Sequence, residues 1–256
     1  MNVVVLAKSI PDPNGDVELG PDFLVKREGE GTLDPGDEFA VEAALQIAEA
    51  SGGEVTVVSM GPAAAVAAVR RALSMGAHRA VLVTDDALRG ADALATARVL
   101  AAAVGRAPFD LVLAGVESTD GYTGTLPATV AELLGVPSAT FARRIDVADG
   151  GLRVERQTEA GYDVVECSLP ALVTVTAGAN EPRYPTLKGI MGAKQKPLEE
   201  LSLADLGVAA ADVSSGQRVV AVEPAPQKAS GEVIQAGDDA AARIADLLAE
   251  AKVLSS

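Results

Sequence analysis

The residues best suited to chemistry sit in one stretch: Gly115, Val116, Glu117, Ser118, Thr119, Asp120, Gly121, Tyr122, Thr123, Gly124, Thr125 and Leu126. Its three glycines let a ligand approach the backbone, and Ser118, Thr119, Thr123 and Thr125 supply hydroxyls. A strand-like run precedes the stretch and a helical run follows it. Backbone N–H groups at such a helix start can bind a phosphate. The same composition also reads as an ordinary Ser/Thr/Gly connector with an N-cap. Asp34, Pro35, Gly36 and Asp37 enter another helix on the same predicted edge. An aspartate there caps the helix or receives a hydrogen bond from a ribose or an adenine. A third stretch, 180–197, carries Tyr184, Pro185, Thr186, Leu187, Lys188, Gly189, Ile190 and Met191, with further lysines at 194 and 196. Apolar residues on a proline-stiffened loop read either as an interaction knob or as side chains folded into the body.

Several chemistries lack their residues. The chain has no GxGxxG after its first strand, no GxxxxGK[ST], no HExxH, no CxxC and no GxSxG. One cysteine, Cys167, excludes an internal disulfide and a cysteine-cluster metal site. One histidine, His78, argues against a histidine metal centre and a Ser/His triad. His78 reads as a surface or helix-terminal residue and Cys167 as a buried, inert thiol. Asp85 and Asp86 read as a solvated loop rather than an acid/base pair. No nucleophile–base set emerges, so a hydrolase is disfavoured.

The elements that must position these residues alternate over the first 140 positions. Apolar, β-rich runs at 3–7, 54–59, 79–84 and 109–114 predict strands covered on both faces. Helical spacing predicts helices over 39–50, 63–75, 91–103 and 126–134. Repeated β-loop-α units imply a doubly wound, mainly parallel α/β sheet, with ligands beyond the carboxyl ends of its strands. The loops at that edge are 8–16, 34–37, 60–62 and 115–126. Closely spaced β-rich runs at 145–148, 152–158, 162–168 and 171–176 predict antiparallel hairpins added to the sheet. The 180–197 stretch predicts an ordered loop leading into a short helix. Residues 207–237 are low in periodicity, and 238–253 predicts a closing amphipathic helix. The domain reading is an α/β unit over 1–200 and an extended C-terminal arm with a helix over 201–256.

Composition narrows the class further. With 21 basic and 36 acidic residues the net charge is −15, which argues against nucleic acid and anionic membrane as partners. Aromatics are only 3% and Trp is absent, so the core must be built from Ala, Val, Leu and Ile. No window holds the roughly 18 unbroken apolar residues of a spanning helix, and the N-terminal run lacks the basic flank of a signal peptide. The expected location is cytoplasmic.

Six segments in order carry a resemblance: VVVLAKSIPD, LDPGDEFAVEAAL, VVSMGP, ALSMGAHRAVLV, DLVLAGVESTDGYTG and NEPRYPTLKGIMGAKQKP. Together the chain resembles the β subunits of electron transfer flavoproteins over nearly its whole length. The resemblance implies an adenine-nucleotide α-hydrolase-like sheet without catalysis, paired with an α subunit that makes most of the contacts to FAD. It implies that this chain is an electron carrier and not itself an enzyme. It also implies a buried structural AMP touching Leu6, Asp34 to Asp37, Met60 and the 115–126 stretch. It implies docking to acyl-CoA or similar dehydrogenases through residues 184–191, with Leu187 as the plug, and onward transfer to a quinone reductase. The C-terminal segment would embrace the α subunit. Two departures are visible. Asp34–Pro35–Gly36 stands where the family often reads NP-aromatic. DGYTGTLP lies between the DDxxNQTG form of AMP-binding members and the DGDTxQxG form of bifurcating members that hold a second FAD, so AMP and FAD both remain open. A universal-stress-type nucleotide module shares the sheet and the loop, but needs neither the 180–197 knob nor the long tail.

Overall fold

The computed structural model describes residues 1–223 apart from 28 and 149, and then 231, 233–237 and 239–253. The chain opens with Val3–Leu6 (β1), four residues buried on both faces. Ser9–Ile10 (β2) and Thr32–Leu33 (β3) pair antiparallel and bracket a mostly irregular excursion. Pro35–Ser51 forms α1. Pro35 begins it because a helix start needs no N–H there, and Gly52 ends it in the left-handed conformation. Val55–Met60 (β4), Val66–Met75 (α2) and Arg79–Val83 (β5) follow. Ala63–Ala65 forms a short 3-10 turn rather than the first turn of the predicted helix. Ala93–Val104 (α3), Leu111–Gly115 (β6) and Leu126–Leu134 (α4) complete the alternating half.

The second half contains Ser138–Ala148 (β7), Gly151–Thr158 (β8), Gly161–Ser168 (β9) and Ala171–Val175 (β10). Leu187–Ala193 (α5) and Leu198–Leu201 (β11) come next. Nine strands form one sheet in the order β11-β5-β4-β1-β6-β10-β7-β8-β9. The doubly wound, mainly parallel sheet with added antiparallel strands is as the sequence predicts. Helices α1 and α2 cover one face and α3 and α4 the other, packing Ala, Val and Leu side chains against the strands. Each fully buried Val or Leu contributes about 1.5–3 kcal/mol, which makes up for the scarcity of aromatics.

Two readings of the second half need correction, and one strand carries no reading. The 171–176 run belongs to no hairpin: β10 lies between β6 and β7 and is parallel to both. Its five residues are all buried, the mark of a strand sandwiched between helix layers. The 145–148 run is only the end of β7, whose first half carries Arg143 and Arg144 across a register shift that hides the alternation. β11 carries no apolar strand signal, because LEEL has two charged residues at a sheet edge, where charges guard against further pairing.

The chain divides into two compact units, Met1–Val219 and Val220–Ser256. The first extends past position 200 because β11 joins the sheet and Val213 is buried against the α3 layer. In the second, Ala240–Glu250 forms α6, which buries none of its residues. The predicted arm also covers 224–230, 232 and 254–256, and the predicted closing helix begins at 238; these positions lie outside the described residues. Among the described residues no helix is long and apolar enough to cross a membrane.

Candidate functional site

The strand order reverses at β1, which is parallel to both its neighbours: from it the chain builds outward through β4 and β5, then returns to β6 on the other side. Such a switch point leaves a crevice at the carboxyl ends of the strands. Leu6 ends β1, Met60 ends β4 and Gly115 ends β6, so three predicted contact residues close three adjacent strands. Leu6 is buried and Met60 is half-buried.

The start of α1 is tied into this edge by two carboxylates. Asp37 accepts the Lys8 backbone N–H at 2.7 Å and the Gly115 N–H at 3.2 Å, bridging the ends of β1 and β6. Gly115 must be glycine, because a Cβ there would lie 2.7 Å from the Asp37 carboxylate. Burial first, and then the neighbouring Asp34 carboxylate, push the Asp37 carboxyl up to about 7. Asp34 caps α1 by accepting the Gly36 N–H at 2.8 Å, and its other oxygen takes both the N–H and the hydroxyl of Thr119, at 2.7 and 3.0 Å. Both aspartates are buried and their oxygens are engaged by the protein. Asp34 is therefore a cap, as one reading held, and also a brace for the glycine-rich loop.

The loop itself is open. Gly121, Tyr122, Thr123, Gly124 and Thr125 are exposed, and Tyr122 adopts a φ of 50°. Ser118 accepts from Lys8 Nζ at 3.0 Å, while Glu117 is exposed and Val116 half-buried. Leu126 begins α4 and packs partly into the core. Thr125 stands at the N-cap but makes no side-chain capping bond. The reading of the loop as a self-capped connector therefore fails at the cap. The start of α4 offers few donors of its own, since the Leu126 N–H is engaged by the Thr123 carbonyl at 3.3 Å and Pro127 has no N–H. Among the described residues the N–H groups of Thr123, Gly124 and Thr125 have no protein acceptor and are left to solvent or to an anion.

Two cations stand at this opening that the sequence did not single out. Lys8 Nζ pairs with one oxygen of Asp120 at 2.6 Å, and Arg27 pairs with the other. Arg27 also donates to the Ser9 carbonyl at 3.1 Å. The Asp120 side chain is only 4% exposed, while each cation keeps about a third of its surface in solvent. Burial tends to raise the Asp120 carboxyl, but the hydrogen bond and charge of Lys8, with Arg27 beside it, hold it below the usual carboxylate range. Lys8 and Arg27 outnumber the buried Asp120 carboxylate they share, and both keep solvent-facing surface that a phosphate could use. The exposed Glu117 carboxylate, beside Gly124, is the opposing charge in the loop. By contrast, the hollow beside Pro35 is lined by Asp12, Glu30 and Glu38, the wrong sign for one. Lys8 did have a local signal, a lone lysine directly after an apolar strand. Arg27 lies in the irregular excursion and had none.

The 180–197 stretch is built on other helices. The exposures of Tyr184, Leu187, Met191 and Ile190 are 87%, 75%, 67% and 49%. The alternative that Leu187, Ile190 and Met191 fold into the body is thus overturned. Thr186 caps α5 by accepting the Gly189 N–H at 3.0 Å. Pro185 and Gly189 are half-buried, and Lys188 is exposed.

A family model described as "Electron transfer flavoprotein domain" matches residues 22–206. A protein of Mycobacterium leprae named electron transfer flavoprotein subunit beta is 42% identical over 264 aligned residues, spanning 99% of each chain. Proteins of the same name from Thermoanaerobacterium thermosaccharolyticum and Bacillus subtilis are 38% and 35% identical, the first over 91% of this chain and 92% of its own length, the second over 99% and 100%.

This chain belongs to the electron transfer flavoprotein family, among its β subunits.

The remaining sequence candidates of this electron transfer flavoprotein β chain are engaged in local structure. His78 is exposed, and its Nδ1 accepts the Val55 N–H at 3.0 Å. Cys167 is half-buried at the edge of the core rather than enclosed, and burial raises its thiol. Asp85 is no free loop residue: it accepts from the N–H groups of Ala87 and Leu203, at 3.0 and 3.2 Å. Among the described residues no group of three metal-ligating side chains comes together.

Proposed function

We propose that this chain is the β subunit of a heterodimeric electron transfer flavoprotein, in which it grips a structural nucleotide and docks redox partners. The observation that carries the proposal is the open 115–126 loop, braced from behind by Asp34 and flanked by Lys8 and Arg27. The loop N–H groups of Thr123, Gly124 and Thr125 would take a phosphate, with Lys8 and Arg27 as counter-charges. Leu6, Met60 and Leu126 would flank the nucleoside, while Asp34 and Asp37 keep the loop and strand ends in place. AMP is the favoured occupant, and FAD is the alternative of a bifurcating protein. The α subunit would make most of the contacts to the electron-carrying FAD, which supplies the redox chemistry when bound. This chain orients and recognises, and makes no bond of its own.

The 184–191 knob would dock acyl-CoA or similar dehydrogenases by seating Leu187 in an apolar pocket, with electrons passing on to a quinone reductase. Segment 180–197 carries four basic residues and one acidic residue in a chain of net charge −15. That local inversion suits a partner with an acidic rim.

The test is acid extraction of the purified heterodimer followed by mass spectrometry. The expected release is AMP, or FAD if the protein bifurcates, in a one-to-one ratio to this chain and beyond the flavin of the α subunit. An empty extract from a folded heterodimer would remove the nucleotide reading.

A further inference from the structure

The exposed knob is tied to the body at its base by Arg183, which pairs with two glutamates of α1. Arg183 Nε donates to Glu42 at 2.7 Å and one terminal nitrogen donates to the other Glu42 oxygen at 3.1 Å. Its terminal nitrogens also reach both oxygens of Glu49, at 2.6 and 3.2 Å, and its backbone N–H donates to Glu42 at 3.2 Å. Glu42 and Glu49 lie seven positions apart on α1, so they share one face of the helix. Three residues before Arg183, Asn180 donates its side-chain amide to the Phe39 carbonyl at 2.9 Å. Arg183 thus fastens the base of the knob along two turns of α1.

Beyond Arg183 the chain has no hydrogen-bonded tie among the described residues until the far foot, although α5 packs on α2 at Gly189, where a Cβ would lie 2.5 Å from the Ser74 carbonyl. Among the described residues no hydrogen bond joins 184–188 to the rest of the fold; the bonds there run from Thr186 to Gly189 and Ile190, inside the knob. The next ties come at the far foot. Arg70 caps the end of α5 through the Ala193 and Lys196 carbonyls, at 2.6 and 2.7 Å. Lys196 caps the end of α2 through the Leu73 and Ala77 carbonyls, at 2.9 and 2.7 Å. The exposed Tyr184 and Leu187 side chains stand between these two fixtures.

We propose that Arg183 is a positioning residue for partner docking: through Glu42 and Glu49 it sets the direction and stiffness with which Leu187 and its apolar neighbours meet a redox partner. The inference rests on the docking reading above. An anchor held in its bound geometry spares the ordering cost that a floppy loop would meet on association. A bidentate fork holds direction as well as distance, which a point charge does not. Losing the clamp should therefore weaken docking while leaving electron transfer within the docked pair unchanged.

The experiment uses the flavin-loaded heterodimer, with a substrate-reduced acyl-CoA dehydrogenase as electron donor. Three variants are compared: Arg183→Met, Arg183→Lys and Glu49→Gln. Glu49→Gln touches the exposed half of the clamp and keeps the test open if Arg183→Met fails to fold, because Glu42 is buried and would lose its cation. Two quantities are read: the KM for the dehydrogenase against kcat, and the exchange rates of the Gly189 and Ile190 amides. Arg183→Met should raise KM about tenfold with kcat unchanged, a change of the size that loop ordering produces. Glu49→Gln should raise it less, and Arg183→Lys should fail to restore it. Amide exchange at Gly189 and Ile190 should accelerate in the same order. Unchanged exchange in a folded Arg183→Met heterodimer would overturn the clamp. Accelerated exchange with an unchanged KM would instead overturn the docking reading, and a fall in kcat alone would contradict a positioning role.

Discussion

Thr119 gives both its backbone N–H and its hydroxyl to a single oxygen of Asp34, the residue that caps α1 with its other oxygen. One buried carboxylate therefore fixes a helix start and a loop that lie 85 positions apart in the chain. The loop owes its shape to this brace and to the Ser118 carbonyl, which takes the Gly121 and Tyr122 N–H groups; among the described residues those of Thr123, Gly124 and Thr125 are left without a protein acceptor.

Thr119→Val keeps the side-chain shape but removes the hydroxyl bond to a buried carboxylate, a loss of about 2 kcal/mol. Urea unfolding should register that destabilisation. Nucleotide recovered per mole of heterodimer should fall with it, and Thr119→Ser should retain both stability and nucleotide. Full stability in Thr119→Val would mean that the brace contributes nothing.

Asp37 makes stability fall as pH rises. Its folded carboxyl is pushed up to about 7 by burial and by Asp34, whereas an unfolded aspartate titrates at about 3.9. The native state then holds a proton that the unfolded chain has released. The stabilisation is complete below about pH 4 and is lost as pH climbs towards 7. Denaturation midpoints followed over this range should decline on the alkaline side, and Asp37→Asn should flatten the decline. Asp120, Glu42 and Glu49 work in the opposite sense: their lowered carboxyls lose stabilisation as pH falls below the ordinary carboxylate range. A profile that stays flat between pH 4 and 7 in the native protein, with Asp37→Asn indistinguishable, would contradict the assignment.

Leu187→Ala removes a side chain that is already in solvent. The thermal midpoint should stay where it is, since exposed substitutions seldom matter to stability. The KM for a dehydrogenase donor should rise by about ten- to a hundredfold, the range for losing a buried anchor in a complex. Equal kinetics with every donor tested would leave the knob without a docking role.

The sheet was legible where its signals are local. The runs at 3–7, 54–59, 79–84 and 109–114 are apolar because strands between two helix layers meet no water, and α4 matches its predicted span at both ends. β10 had the same signal in ALVTV, but two neighbouring hairpins in sequence drew it into their pattern. β11 was hidden because it is an edge strand, paired with β5 among the described residues, and its charged residues carry no apolar run. Within the site, the glycine- and hydroxyl-rich loop was visible by composition, and Asp34 and Asp37 by their place at a helix start. That both aspartates face inward was not visible, since a cap in solvent and a buried brace use the same residue.

The sequence alone determined the alternation of apolar strands and helices, hence a parallel sheet with a ligand edge, and an inventory poor in nucleophiles and rich in backbone donors. Family membership was also written there, in six ordered segments. Tertiary structure alone decided which charges meet: Lys8 and Arg27 reach Asp120 across 112 and 93 positions, and Arg183 reaches Glu42 across 141. Hydrophobic periodicity is a local property, because each element must present its own apolar face to the core. A charge pair depends on where two distant elements come to rest, and no spacing in the chain records that.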